Sequence, residues 1–137
     1  GIIANMVMRL RREADGIPQG IQEWPYITAD DEPTPECDRF FEGFGGVLYP
    51  PRALPQACCD EETFLKLCPT ADDVWLNAMA RLQQTPIYCC LRHPYDYVAA
   101  VNPACQGTAL NIINNADDHL NDRQIRTVWE HFHLQKL

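Results

Sequence analysis

The chain is poor in basic residues: its 137 positions hold 11 Lys and Arg against 19 Asp and Glu, a formal charge of −8, with an isoelectric point near 4.8. A phosphate backbone needs clustered cations, and here they are few and scattered, so a nucleic-acid partner is excluded. No apolar run approaches the roughly 20 residues of a membrane span, and no basic stretch followed by an apolar one marks a secretory start. We therefore expect a chain that does not span a membrane and that works in the cytoplasm. Neither C-x-x-C nor H-x-x-x-H occurs, and Cys89, Cys90 and His93 come nearest to a metal cluster. No metal is assigned to the chain itself. Internal repeats and low-complexity tracts are missing too, which removes solenoid architectures.

What is present suits one packed domain over residues 1–137: 46% of the residues are hydrophobic. Seven cysteines are an odd number, and two adjacent pairs, Cys58-Cys59 and Cys89-Cys90, make an awkward disulfide framework. Reduced thiols in a cytoplasm are the expectation.

Special backbone chemistry is concentrated between Gly43 and Leu76. Gly43, Gly45 and Gly46 lack a Cβ, which permits a tight turn or a ligand close to backbone amides. Val47 to Tyr49 then reads as extended, and Pro50-Pro51 stops it. Asp60 is placed to cap a helix over 61–67 whose first turn holds Glu61 and Glu62. Thr70-Ala71-Asp72-Asp73 has the form of a capping box opening a helix over 71–84, with Val74, Trp75, Ala78, Met79 and Leu82 at helical spacing.

On either side the pattern is plainer. Gly1 to Arg12 and Ile21 to Ile27 predict two extended segments joined through an Asp15-Gly16 turn. Residues 30–39 are acidic and twice interrupted by proline, a flexible loop. Ile87 to Leu91 predicts a short buried strand, while Tyr95 to Ala104 shows no period and Thr108 to Asn115 reads as helix or strand. Asn121 with Gln124 predicts a second capping box, opening an amphipathic helix over 122–134 through Ile125, Val128, Trp129 and Phe132. The class is thus α/β, mixed extended segments packed by three to four helices. Because neither Met nor a cap introduces Ile2 and Ile3, a chain cut from a longer parent or a shortened reading frame is expected, with Ile2 to Val7 as an exposed edge open to self-association if the chain begins mid-domain.

GFGGVLYPP followed by LCPTADDVWLNAMA resembles bacterial glycosyltransferases of the GT-A fold, close to the large family 2 of inverting enzymes, in the C-terminal, acceptor-side half. IIANMVMRLRR and NDRQIRTVWEHF extend the likeness loosely over most of the chain. The resemblance implies hexosyl transfer with inversion from a nucleotide sugar to a hydroxyl of a glycan or small-molecule acceptor, in polysaccharide biosynthesis. It makes Asp73 the catalytic base beside Asp72, and it implies a divalent cation, manganese or magnesium, held by an Asp-x-Asp motif in the nucleotide-binding half. This sequence has Asp-Asp where the family usually has Glu-Asp, and no Asp-x-Asp lies within it. As a fragment it is expected to be inactive and to bind no cofactor alone.

Each signal has a plain counterpart. Asp72 and Asp73 serve as a helix cap or as a site, since a second acid beside the first raises a pKa, a feature found at sites. Gly45 and Gly46 form only a turn or a substrate loop, and Trp75 is core or a surface on which a sugar ring stacks. His93, His119, His131 and His133 suit solvated or capping positions. Against the enzyme stand a non-catalytic acidic binding module or degenerate relative and, on the cysteines alone, a redox or zinc protein.

Overall fold

The computed structural model describes residues 1–31, 38–92 and 119–137, and within them the chain is mixed α/β. Two small sheets are built from β1 (Ile2–Ala4), β2 (Val7–Arg9), β3 (Arg39–Phe41), β4 (Val47–Leu48) and β5 (Ile87–Cys89). Three helices pack on them: α1 (Glu61–Leu67), α2 (Asp72–Leu82) and α3 (Leu120–His131).

β1 lies at the centre of the first sheet, antiparallel to β4 and parallel to β5, with Ile3 opposite both Leu48 and Tyr88. This corrects the expected open N-terminal edge. β1 is hydrogen-bonded on both sides, and Ile2, Ala4, Met6 and Val7 are buried while Ile3 faces out. The alternation is the period of two that a strand imposes. The second sheet pairs β2 with β3 in antiparallel register, Val7 with Phe41 and Arg9 with Arg39. Arg39, assigned in sequence to the flexible loop, is therefore a buried strand residue; positions 32–37 of that loop lie outside the described residues, as do Tyr95 to Ala104 and Thr108 to Asn115.

The Asp15-Gly16 turn is present, with Gly16 at φ 81° and Glu13 N–H bonded to Ile17 O at 2.8 Å. The segment expected to be extended beyond it is not: Ile21–Glu23 forms a single 3-10 turn, and the Ile21 N–H is taken by Asp122 Oδ1 at 2.8 Å. A carboxylate from the start of α3 supplies the partner that a strand neighbour would have given.

α2 is the hub. Val74, Trp75, Ala78 and Met79 enter one apolar cluster with Phe40, Ile125, Val128 and Trp129. Ala80 enters a second with Ile2, Val7, Phe41 and Ile87. A helix with apolar contacts on opposite sides is buried nearly all round, so its two ends are where polar groups reach solvent. At the C-terminal end, buried Arg81 donates to Leu134 O and Leu137 O at 3.1 Å each and to Asp38 Oδ1 at 3.1 Å. At the other end stand Asp72 and Asp73.

Candidate active site around Asp73

α1 begins as expected. Asp60 Oδ1 accepts from Thr63 N–H at 3.1 Å, satisfying a free donor of the first turn. α2 does not begin with the expected box, because Ala71 precedes its first turn and makes no side-chain cap. Thr70 is bonded to Gln124 instead: its N–H donates to Oε1 at 3.1 Å and its hydroxyl accepts from Nε2 at 3.0 Å. Gln124 is thereby withdrawn from the box expected with Asn121, and α3 starts after His119 in the left-handed region at φ 56°. The two predicted caps are replaced by one bond pair between their members.

Asp73 faces the glycine turn. Its carboxylate accepts from Val74 N–H, a first-turn amide of its own helix, at 2.9 Å, and the Gly43 amide is near enough to lower its proton affinity. A Cβ placed on Gly43 would stand 3.6 Å from the Asp73 Cβ, ordinary contact. The glycine loop and Asp73, parts of one sequence stretch, are also neighbours in space.

Within that loop the roles differ from those expected. Gly45 is buried, and a Cβ there would meet Met6 Cγ at 2.6 Å; Gly46 sits at φ 91°, where side chains are strained. The N–H groups of Gly45 and Gly46 donate to Glu42 O and Gly43 O at 3.3 and 3.2 Å, so they close the turn. Gly45 O accepts from Asn5 Nδ2 at 2.8 Å. These two glycines shape the loop, and the amide directed at Asp73 is that of Gly43. Trp75 is also corrected: it is 3% exposed, packed between Phe64 and Phe132 at 5.8 Å each, with Nε1 donating to Cys58 O at 3.0 Å. A ring so enclosed offers no face to a sugar. Exposed aromatic surface in this region comes from Phe44, 64% exposed at the tip of the turn, and from Tyr49, whose ring edge meets Phe41 at 5.7 Å.

The electrostatics follow from crowding acids at a half-buried place. Burial, and then the charge of exposed Asp72, push the Asp73 carboxyl above its ordinary value; the Val74 and Gly43 amides pull the other way. Burial raises Glu42 likewise, with Asp73 adding to the rise and the Tyr26 hydroxyl, donating to Oε2 at 2.9 Å, opposing it. Burial and the two aspartates hold the Tyr49 hydroxyl up at about 12, and burial with Asp73 does the same to the Cys68 thiol. Both stay protonated at neutral pH. Among the described residues no three His, Cys, Asp or Glu side chains converge to hold a metal ion.

Behind the site, Asn77 is fully engaged. Its Oδ1 accepts from Phe41 N–H at 2.9 Å, and its Nδ2 donates to Phe41 O and Asp73 O at 2.8 Å each. Sequence reasoning passed over Gly43 as a contact and Tyr49 as a site residue, and Glu42 and Asn77 altogether. A signal for Asn77 existed: a polar residue four positions after Asp73 on an apolar helix face needs buried partners.

Compared with protein families, with curated protein sequences and with solved structures, the chain matches none. No helix among the described residues is long and apolar enough to cross a membrane.

Proposed function

We propose that the chain is the acceptor-side half of an inverting glycosyltransferase of GT-A type, with Asp73 as the base that takes the proton of the acceptor hydroxyl. One observation carries the reading: a half-buried carboxylate bonded to the Val74 amide and set against the glycine turn at Gly43, with its proton affinity raised by burial and by Asp72. A base works best when its pKa approaches the working pH, and general-base help typically contributes about 10² to 10⁴ in rate. As the acceptor oxygen forms its bond to the anomeric carbon of the donor sugar, its proton passes to Asp73 and the nucleoside diphosphate departs from the opposite face. Tyr49, whose hydroxyl feels the charge of Asp72 and Asp73, and exposed Phe44 on the glycine turn offer rings on which the apolar face of an acceptor sugar can lie. The diphosphate end of the donor would fall to a nucleotide-binding half, where a divalent cation would supply charge neutralisation for the leaving group.

A non-catalytic reading draws on the same bonds, since Asp73 also ties the turn to the helix. The test is a transfer assay with a protein carrying both halves, with nucleotide sugar as donor and a panel of glycan acceptors. Loss of transfer on Asp73→Asn with the fold retained supports the base; unchanged transfer leaves Asp73 a structural tie.

A further inference from the structure

The two adjacent cysteine pairs differ in geometry. Cys89 and Cys90 follow strand alternation: Cys89 is buried, with Sγ directed at the carbonyls of Asn5 and Ile27, while Cys90 is exposed and bonds Asn5 Oδ1 at 2.7 Å. Their thiols point apart. Cys58 and Cys59 lie instead in a 3-10 turn, Gln56–Cys59, and their Sγ atoms meet at 3.7 Å, one half-buried and one exposed. The backbone beneath them is held on three sides: Cys58 N–H donates to Pro55 O at 3.0 Å, Asp60 N–H to Ala57 O at 3.1 Å, and Trp75 Nε1 to Cys58 O at 3.0 Å.

Such a pair is poorly placed to oxidise. Adjacent Cα atoms across a trans peptide are about 3.8 Å apart, below the roughly 4.4 Å at which disulfides begin, so the bond would be strained and readily reduced. Zinc is poorly matched as well, because it calls for four ligands and among the described residues no third His, Cys, Asp or Glu converges here. Two thiols held in contact at the surface suit a soft centre that needs only two sulfurs.

We propose that Cys58 and Cys59 form a dithiol site for a thiophilic centre with two adjacent open positions, the chemistry of a mono-substituted trivalent arsenical. The step is a condensation without change of oxidation state: an organoarsenic(III) oxide gives up its oxygen, two As–S bonds form, and the two thiol protons leave with that oxygen as water. The site is separate from the acids around Asp73 and does not depend on the role given to them.

The probe is phenylarsine oxide, added to the reduced native chain. We expect one adduct per chain by intact mass, stable to excess glutathione and removed by a dithiol, with peptide mapping placing it on the segment that holds residues 58 and 59. Tryptophan emission should change on binding, because the Trp75 indole is bonded to the Cys58 carbonyl. Cys58→Ser and Cys59→Ser should each weaken binding by about 10² or more, since the second bond is then no longer intramolecular. An adduct mapped to any other cysteine, or undiminished binding by folded Cys58→Ser and Cys59→Ser variants, overturns the proposal. If either variant fails to fold, the map on the native chain decides.

Discussion

Asn77 on α2 bonds both the N–H and the carbonyl of Phe41 on β3, at 2.9 and 2.8 Å, so one side chain takes the place of a neighbouring strand. The same amide reaches Asp73 O, joining β3, the turn after it and the start of α2 into one unit. The turn around Gly43 and the carboxylate of Asp73 owe their relative position to this bond set.

Replacing Asn77 with Leu keeps the volume and leaves the Phe41 amide and carbonyl buried without partners. We expect a loss of about 2–6 kcal/mol, from a cost of about 1–3 kcal/mol for each of the two groups, by denaturant unfolding. A loss below ~1 kcal/mol would mean that water enters and replaces the side chain.

Asp73→Asn is expected to stabilise the protein near neutral pH. The raised pKa means that, between the ordinary carboxylate value and the raised one, the folded chain keeps a proton the unfolded chain has released, so stability falls as pH rises through that window and stays lower above it. Asn keeps an oxygen for the Gly43 and Val74 amides and carries no charge. The variant should therefore melt higher than the parent at pH 7 and show no such gain at about pH 2.5, well below the ordinary carboxylate value, where the carboxyl is protonated in either state. Asp31 and Asp60, whose hydrogen bonds to Thr28 and Thr63 lower their pKa values, act in the opposite sense in both proteins and cancel in the difference. A lower midpoint for Asp73→Asn at pH 7 would contradict this.

Phe44 is 64% exposed, and Phe44→Ala should shift the thermal midpoint only slightly. In the transfer assay it should raise KM for a sugar acceptor about three- to tenfold with little change in kcat, the effect of ~1 kcal/mol of lost ring contact. An unaltered KM would place the acceptor elsewhere.

Arg81 is the anchor of the C-terminal turn. Arg81→Ala removes its bonds to Leu134 and Leu137 and leaves Asp38 paired with Arg12 alone, and should cost about 2–3 kcal/mol. Hydrogen exchange should show faster exchange of the 134–137 amides, and unaltered exchange there would contradict the anchoring role.

The helices were legible because their apolar residues recur at fixed spacing: Val74, Ala78 and Met79 in α2, and Ile125, Val128 and Trp129 in α3, are buried as their period predicts. Caps were not, because Thr70 and Gln124 each fit a local motif, yet the partner that won each of them lies 54 positions away. Local spacing carries no information about such a competitor. The nearness of Asp73 to the glycine turn was foreseen only as nearness in sequence; its contact through Gly43 depends on how β3 meets α2. Trp75 shows the reverse failure, since nearby Asp72 is exposed while the helix turns the indole into the core.

The most direct measurement compares the transfer rates of Asp73→Asn and Asp72→Asn in a protein that joins this chain to a nucleotide-binding half. We expect Asp73→Asn to lose a factor of about 10² or more in kcat with donor binding retained, and Asp72→Asn to lose less. Near-normal turnover by Asp73→Asn, or a greater loss in Asp72→Asn, would contradict the assignment of Asp73 as the base.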